Sequence, residues 1–294
     1  MIKTNLEKLV DLAVSGQAAA PAACDPGERP VVDGGSFVPL RTPGINYTVR
    51  VGDSAFGWAG AHEVEPGVAI WADCEESRVG LSTLACIAND AILVDAKLEG
   101  KDKKLKAALG TVTGEVSTGR VLVSFPKRVV DRLAVGDLVQ IRASGSGLEL
   151  LDYPDVRVLN LGPRLLKALN PSEKGGKVRI PVAKVVPGKL MGHGVGSTCP
   201  LAGDFDLQST SPEAVRELSL DQLRLGDLVA IADIDCSRGP RWQSGATTVG
   251  VVVHGASRQS GHGSSVNAVL TSPKATLEPI STRKANLAEL MGLQ

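Results

Sequence analysis

The sequence predicts a mainly β protein, a β-rich α+β chain of two barrel- or sandwich-like modules with a few short helices. Three observations carry this. Short apolar runs of strand length recur between glycine- and proline-bearing turns along most of the chain. A helix, a Gly-Asp pair and a strand follow one another twice, since Leu133-Ala-Val-Gly136-Asp137-Leu138-Val-Gln-Ile141 is echoed by Leu223-Arg-Leu-Gly226-Asp227-Leu228-Val-Ala-Ile231. The 294 residues also exceed one typical domain of roughly 100–200 residues, so two cores are expected.

The elements follow in order. Leu6, Leu9, Val10 and Ala13 repeat at helical spacing behind Thr4 and Asn5, with Gly16 as a stop, and predict an N-terminal helix. Ala18 to Pro43, rich in Ala, Pro and Gly, reads as an extended arm. Ile45 to Val51 alternates like a strand and meets Gly52-Asp53; Val68 to Ala72 is a short apolar strand. Gly80 to Ala96 reads as one or two buried strands around Cys86, and Lys97 to Lys106 as a solvated loop. Gly110 to Gly114 with Arg120 to Phe125 makes a hairpin, and Pro126 opens a short helix to Leu133. In each echo the glycine supplies positive φ and the aspartate bonds the local backbone, launching a strand. Val51-Gly52-Asp53 is a candidate third copy, and Ser211-Pro212-Glu213 starts the helix before the last one. The chain divides into a helix and arm (1–43), an N-terminal β-rich domain (44–165) and a C-terminal β-rich domain (166–294).

Composition narrows the function. Apolar residues are 43% of the chain and aromatics only 3%, so the core is Val, Leu, Ile and Ala, and stacking platforms for single strands are scarce. Lys+Arg and Asp+Glu are 32 each, which leaves no basic footprint and argues against a nucleic-acid partner. Near-neutrality favours a homo-oligomer. Cys24, Cys74, Cys86, Cys199 and Cys236 are odd in number and form no CxxC pair, so neither a zinc finger nor a disulfide framework is indicated. The first residues lack a signal-peptide core, and no run reaches the roughly 18 apolar residues of a membrane span. A cytoplasmic protein without a membrane partner is expected.

Residues that can carry chemistry concentrate between Met191 and Gly263, where three of the four histidines lie. Met191-Gly192-His193-Gly194-Val-Gly196 is a glycine-rich loop whose backbone can approach a ligand, with Gly192 and Gly194 as binding candidates. It matches neither a phosphate-binding loop nor the dinucleotide fingerprint. Gly203-Asp204-Phe-Asp206 follows it. Asp233-Ile-Asp235 ends a strand, where alternation would set both carboxylates on one face for a hard cation such as Mg²⁺ or Ca²⁺. The same residues suit a plain turn in which Asp235 bonds backbone amides and pairs with Arg238 or Arg241. Val249 to Val253 delivers His254 at a strand end, and Ser260-Gly-His262-Gly puts a second imidazole on a tight turn. Two histidines with carboxylates can bind Zn²⁺, Fe²⁺ or Mn²⁺, or act as general acid and base, although no HxH or HxxxH spacing is present. Trp58, His62, Glu63 and Glu65 form a candidate opposite wall. Cys86 reads as a core thiol, and Cys199 and Cys236, beside these loops, are the candidate nucleophilic thiols.

The chain resembles the family catalogued as domain of unknown function 4438. The likeness rests on Asp53-Ser-Ala-Phe-Gly-Trp58-Ala-Gly with Val64-Glu-Pro-Gly67-Val, Met191-Gly-x-Gly with Gly203-Asp204-x-Asp206, and Gly226-Asp227-Leu-Val-Ala-Ile-x-Asp233. Val249-Gly-Val-Val-Val-His254 and Ser260-Gly-His262-Gly extend it over nearly the whole chain. The resemblance implies a β-rich two-part fold and no activity. His193 stands where that family is expected to have a small polar residue, which weighs against it as an essential ligand. The Glu65-Pro-Gly67 turn and the Gly-Asp loop are similar in style to the acetamidase/formamidase hydrolases of small amides.

The leading expectation is a small-molecule hydrolase of an amide-type C–N bond with a divalent metal ion. His254, His262 and Asp233 would be catalytic, and Asp204, Asp206 and Asp235 would hold the metal. Arg238, Arg241, Trp58, His62, Gly192 and Gly194 would contact substrate. A non-catalytic ligand-binding or assembly protein, and a lyase or isomerase of amino-acid-like substrates, remain as alternatives.

Overall fold

The computed structural model describes residues 2–21, 29–30, 36–37, 44–59, 62–95, 107–116, 119–196, 199, 201 and 203–293. Its first module is a closed antiparallel barrel. Its strands are β1 (Leu12–Ala18), β4 (Val68–Trp71), β5 (Asp90–Asp95), β6 (Leu109–Val116), β7 (Arg120–Ser124) and β8 (Leu138–Ala143), ordered β1-β4-β7-β6-β5-β8. The β1–β8 pairing closes it, with Leu12 opposite Ala143 and Gln17 opposite Leu138. β8 alternates exposed and buried residue by residue, as a barrel wall demands. A separate two-stranded ribbon joins β2 (Arg29–Pro30) and β3 (Ser36–Phe37), and helices α1 (Glu75–Leu84) and α2 (Lys127–Val130) belong to this half.

The second module is a sheet ordered β12-β14-β15-β16-β13. Its strands are β12 (Lys184–Pro187), β13 (Phe205–Gln208), β14 (Leu228–Asp235), β15 (Arg241–His254) and β16 (Gly263–Ser272), with β9 (Arg157–Val158) added on β16. A three-stranded sheet β10 (Ser172–Lys174), β11 (Lys177–Val182) and β17 (Leu277–Ser281) lies beside it. α3 (Pro163–Leu169), α4 (Pro212–Leu218) and α5 (Leu287–Met291) complete the fold. One core runs from Ile87, Leu161 and Leu165 through Val178 and Ile180 to Leu228, Val249 and Leu270, so it spans residues on both sides of position 165. Val253 packs with Ala69, Val116 and Leu122 of the barrel, which joins the last turn of β15 to the first module.

Three local expectations fail. The N-terminal helix is a 3-10 turn at Leu6–Lys8, after which the chain enters β1. Closing the barrel gives β1 two partners, and that outweighs a helical spacing whose Leu6 and Val10 stay exposed. Ile45–Val51 forms only the isolated Ile45–Val68 bridge, because the Asn46 side chain accepts hydrogen bonds from Thr48 and Val49 N–H and turns the chain. Gly80 to Leu84 are the end of α1, which opens on Glu75 and Glu76 at the favourable end of its dipole; in this stretch only Asp90–Asp95 is strand. Lys97 to Lys106 and most of the arm lie outside the described residues.

The Gly-Asp echo is physical and occurs three times. Gly52, Gly136 and Gly226 have φ of +99°, +87° and +84°. Asp53, Asp137 and Asp227 each accept, at 2.8 Å, the N–H three residues earlier. Each pair then grips one residue of another segment by two backbone bonds. Gly52 N–H donates to Leu225 O and Leu225 N–H to Asp53 O; Gly136 and Asp137 hold Ala18 in the same way, and Gly226 and Asp227 hold Val252.

Candidate functional site

All four histidines of the chain converge on one place, which no local spacing foretells. β15 ends at His254 and β13 carries Asp206; both lie in register with Ser265 of the intervening β16, so the three residues form one row across the sheet. Asp204 lies two residues before Asp206, just ahead of β13. His254 Nε2 is 3.0 Å from Asp204 Oδ2 and 3.6 Å from Asp206 Oδ1. Asp206 Oδ2 is 3.0 Å from His262 Nδ1, which is also 3.0 Å from Glu63 Oε1. Glu63 Oε1 lies 3.1 Å from His62 Nε2, and His62 Nδ1 is 3.0 Å from Ser257 Oγ. His193 stacks on His262 with ring centroids 4.7 Å apart and planes 16° from parallel.

Local chemistry holds these groups. His254 Nδ1 is 3.0 Å from Gly255 O; with Nδ1–H donating to that carbonyl, Nε2 is left facing the two aspartates. Glu63 sits at φ +52°, a left-handed conformation that costs a non-glycine residue about 1–2 kcal/mol and clusters at functional sites. Its N–H donates to Ala256 O and Gly255 N–H donates to Val64 O, tying the 62–67 loop to the end of β15. Gly192 and Gly194 are required for packing: a Cβ on Gly192 would lie 2.1 Å from Gly261 O, and one on Gly194, 2.8 Å from Asp204 O. The close approach these glycines permit is therefore to the protein's own backbone, and it presents His193 beside His262.

The site is buried and electrostatically tense. The side chains of His62, Glu63, Asp204, Asp206 and His254 are each less than a tenth exposed. Burial pushes the Asp206 carboxyl up; His254 opposes this, Asp204 and Glu63 add to it, and the result is about 7. Burial alone would lower the His254 imidazole, but the hydrogen bond and charge of Asp204, with Asp206 and Glu63 behind, raise it to about 10. Glu115 of β6 is buried beside the same group and held well above the usual carboxylate range, by burial first and by Asp204 and Cys199 in addition, while the backbone of Gly203 and Ser82 oppose the shift.

Two sets of donor atoms are close enough to share a cation, Asp204–Asp206–His254 and His193–Asp206–His262, each within 4.8 Å mutually. Ligands about 2.0–2.2 Å from a cation at tetrahedral or octahedral angles lie about 3.0–3.4 Å from one another, the spacing of the Asp204–His254 and Asp206–His262 pairs at 3.0 Å.

Of the residues singled out in the sequence, His62, His254, His262, Asp204 and Asp206 are brought together. His193, against which the family likeness weighs, joins them. The Asp233/Asp235 group does not. Asp233 is a β-bulge residue at φ +59° where the β14–β15 register shifts, so alternation breaks and the two carboxylates do not share a face. Asp233 Oδ1 accepts from Gly245 N–H, and fully buried Asp235 pairs with Arg241 at 2.9 Å and bonds Ser237. Arg241 is the first residue of β15 and His254 the last, about 40 Å apart along a strand rising about 3.3 Å per residue. Arg241 is thus committed to Asp235 and Gln243, and Arg238 stands exposed on the same turn. Trp58 turns back on its own loop, its indole N–H donating to Ser54 O. Sequence reasoning did not find Glu115; its one signal is a charge inside a strand whose neighbours are all buried. Cavities of about 590 Å³ (beside Cys86, Leu148 and Leu159) and about 640 Å³ (beside Lys184, Arg224 and Arg283) are lined by none of the clustered residues. No helix among the described residues is long and apolar enough to cross a membrane.

Comparison with known proteins gives the family. No curated protein matches the chain. A solved structure described as "Crystal structure of TM1086" is 37% identical, covers 100% of this chain and 99% of its own, and superposes with a TM-score of 0.90. The model for the N-terminal domain of the family "Domain of unknown function (DUF4438)" matches residues 29–167, and that for its C-terminal domain matches residues 168–291. Matched over both of its domains, the chain belongs to the DUF4438 family.

Proposed function

We propose that the protein is a cytoplasmic, divalent-metal-dependent hydrolase of a small molecule, cleaving an amide-type C–N bond at the histidine–carboxylate cluster. One observation carries this: His62, His254 and His262 each lie 3.0–3.1 Å from a buried carboxylate, and His193 stacks on His262 beside them. Asp204, Asp206 and His254 are the residues that would hold the metal. Such an ion lowers the pKa of bound water toward about 7 and polarises a carbonyl. The Nδ1–H bond to Gly255 keeps His254 turned toward the aspartates. Glu115, whose carboxyl burial and Asp204 hold well above the usual range, is the residue that would give a proton to the departing nitrogen. Hydrolysis then balances: water oxygen bonds the carbonyl carbon, the C–N bond breaks, and the amine leaves with a proton. The amide class is supported by the similarity in style to the acetamidase/formamidase hydrolases, and the cytoplasm by the free thiols of Cys74, Cys86, Cys199 and Cys236.

The test is a screen of small amides against metal-loaded protein. Turnover should stop on chelation and return with metal, and His254→Ala should lower kcat/KM by about 10²-fold or more. Activity that survives both chelation and His254→Ala sinks the proposal. The His254–Asp204 pair at 3.0 Å would equally serve proton transfer in a metal-free lyase or isomerase, and turnover indifferent to chelation but lost in His254→Ala selects that reading. Tight ligand binding without turnover selects a binding protein.

A further inference from the structure

We infer that the site takes two divalent cations bridged by Asp206, one with Asp204 and His254, the other with His262 and His193. This deepens the metal reading above and rests on it for the nature of the ligand. The carrying observation is how Asp206 divides its oxygens. Oδ1 faces His254 Nε2, 3.6 Å away, whereas Oδ2 faces His262 Nδ1 at 3.0 Å. One carboxylate therefore serves two donor sets that otherwise share no atom, the arrangement by which a carboxylate bridges neighbouring ions.

The second set gathers several polar groups at one point. His262 Nδ1 lies 3.0 Å from oxygens of both Glu63 and Asp206, one ring nitrogen carries at most one proton, and Glu63 Oε1 also faces His62 Nε2 at 3.1 Å. Two like charges are thus turned toward one point in a buried place, an arrangement that either raises a pKa or is relieved by a shared cation. His193 reaches that point on a loop tied by backbone bonds from His193 N–H to Gly261 O and from Asp206 N–H to His193 O, and its ring stacks on His262. Charge agrees as well. Glu63, Asp204 and Asp206 together carry three negative charges; two divalent cations leave one positive charge, enough to hold a hydroxide. The ions would lie about 3.5–4 Å apart, as in two-metal hydrolytic sites, where both the attacking and the leaving atom are stabilised.

The experiment is Mn²⁺ loading of chelator-stripped full-length protein, with bound metal measured by elemental analysis and the ions by electron paramagnetic resonance. Two Mn²⁺ per chain with an exchange-coupled spectrum is the expected result. His193→Ala, a change at an exposed residue whose folding circular dichroism can verify, should drop the count to one and restore the six-line spectrum of an isolated ion. One ion per chain in the unaltered protein, or two ions without coupling, overturns the bridged pair. The fate of the hydrolase reading is separate. One ion with amide turnover leaves it standing and removes the pair, whereas two coupled ions with no turnover of any amide keeps the pair and removes the hydrolase.

Discussion

His254 carries the electrostatics of the site, and its behaviour with pH is predictable in sign. Its pKa in the folded metal-free protein is about 10, against an ordinary 6.5. A raised histidine stabilises the fold fully below about 6.5 and loses that contribution as pH rises toward 10, because the folded state holds the proton longer. Asp206, raised from 3.8 to about 7, adds the same sign at lower pH, losing its contribution as pH rises from about 4 to 7. Metal-free protein should therefore become less stable from pH 6.5 to 9, by at most about 1.4 kcal/mol per pH unit for the single His254 proton. His254→Gln should flatten that slope in calorimetry. Metal affinity should rise over the same window, since the cation must displace the His254 proton. A melting temperature of the metal-free protein that climbs between pH 6.5 and 9 would show that His254 is not paired as described.

At the scale of elements, the Gly-Asp clasp explains how a chain so poor in aromatics fixes its strands. Each clasp supplies an aspartate-capped turn and two backbone bonds to a distant segment, and the three together tie Ala18, Leu225 and Val252 into place. The clasp at Gly226 holds the strand that ends at His254, and a Cβ there would lie 2.4 Å from Val51 Cγ1 at φ +84°. Gly226→Ala should cost about 1–3 kcal/mol in urea unfolding, from strain and overpacking together. Gly245→Ala, at φ +79° but facing open space, should cost only the backbone strain of about 1 kcal/mol. Equal losses in the two variants would mean that the packing against Val51 contributes nothing.

For the whole molecule, the cluster lies where the barrel meets the second sheet. The sheet supplies Asp206 and His254, loops supply His62, Glu63, His193 and His262, and the barrel supplies Glu115. Gly114 is the joint, since a Cβ on it would lie 2.2 Å from Val253 Cγ1, one residue before His254 and one before Glu115. Gly114→Val should push the modules apart, destabilise by about 1–3 kcal/mol, and weaken Mn²⁺ binding about tenfold or more. Titration of the variant checks this: unchanged metal affinity with intact folding would show that the two modules do not jointly position the site.

The β-rich class, the family, the Gly-Asp turns and the interval from Met191 to Gly263 are legible in the sequence, because each is written in short-range patterns: alternation, turn chemistry and local residue density. It also named His254, His262, Asp204, Asp206 and His62. Tertiary structure decided which of these meet. Asp233 and Asp235 were lost to a single bulge residue, since period-2 alternation holds only while every residue keeps an extended φ. The N-terminal segment became strand because barrel closure offers hydrogen bonds on both edges, which helical spacing in a dozen residues does not match. Glu63, Glu115 and His193 entered the cluster through contacts between loops and modules far apart in the chain. Burial and charge at such a junction are sums over segments brought together by folding, and no window of the sequence contains them.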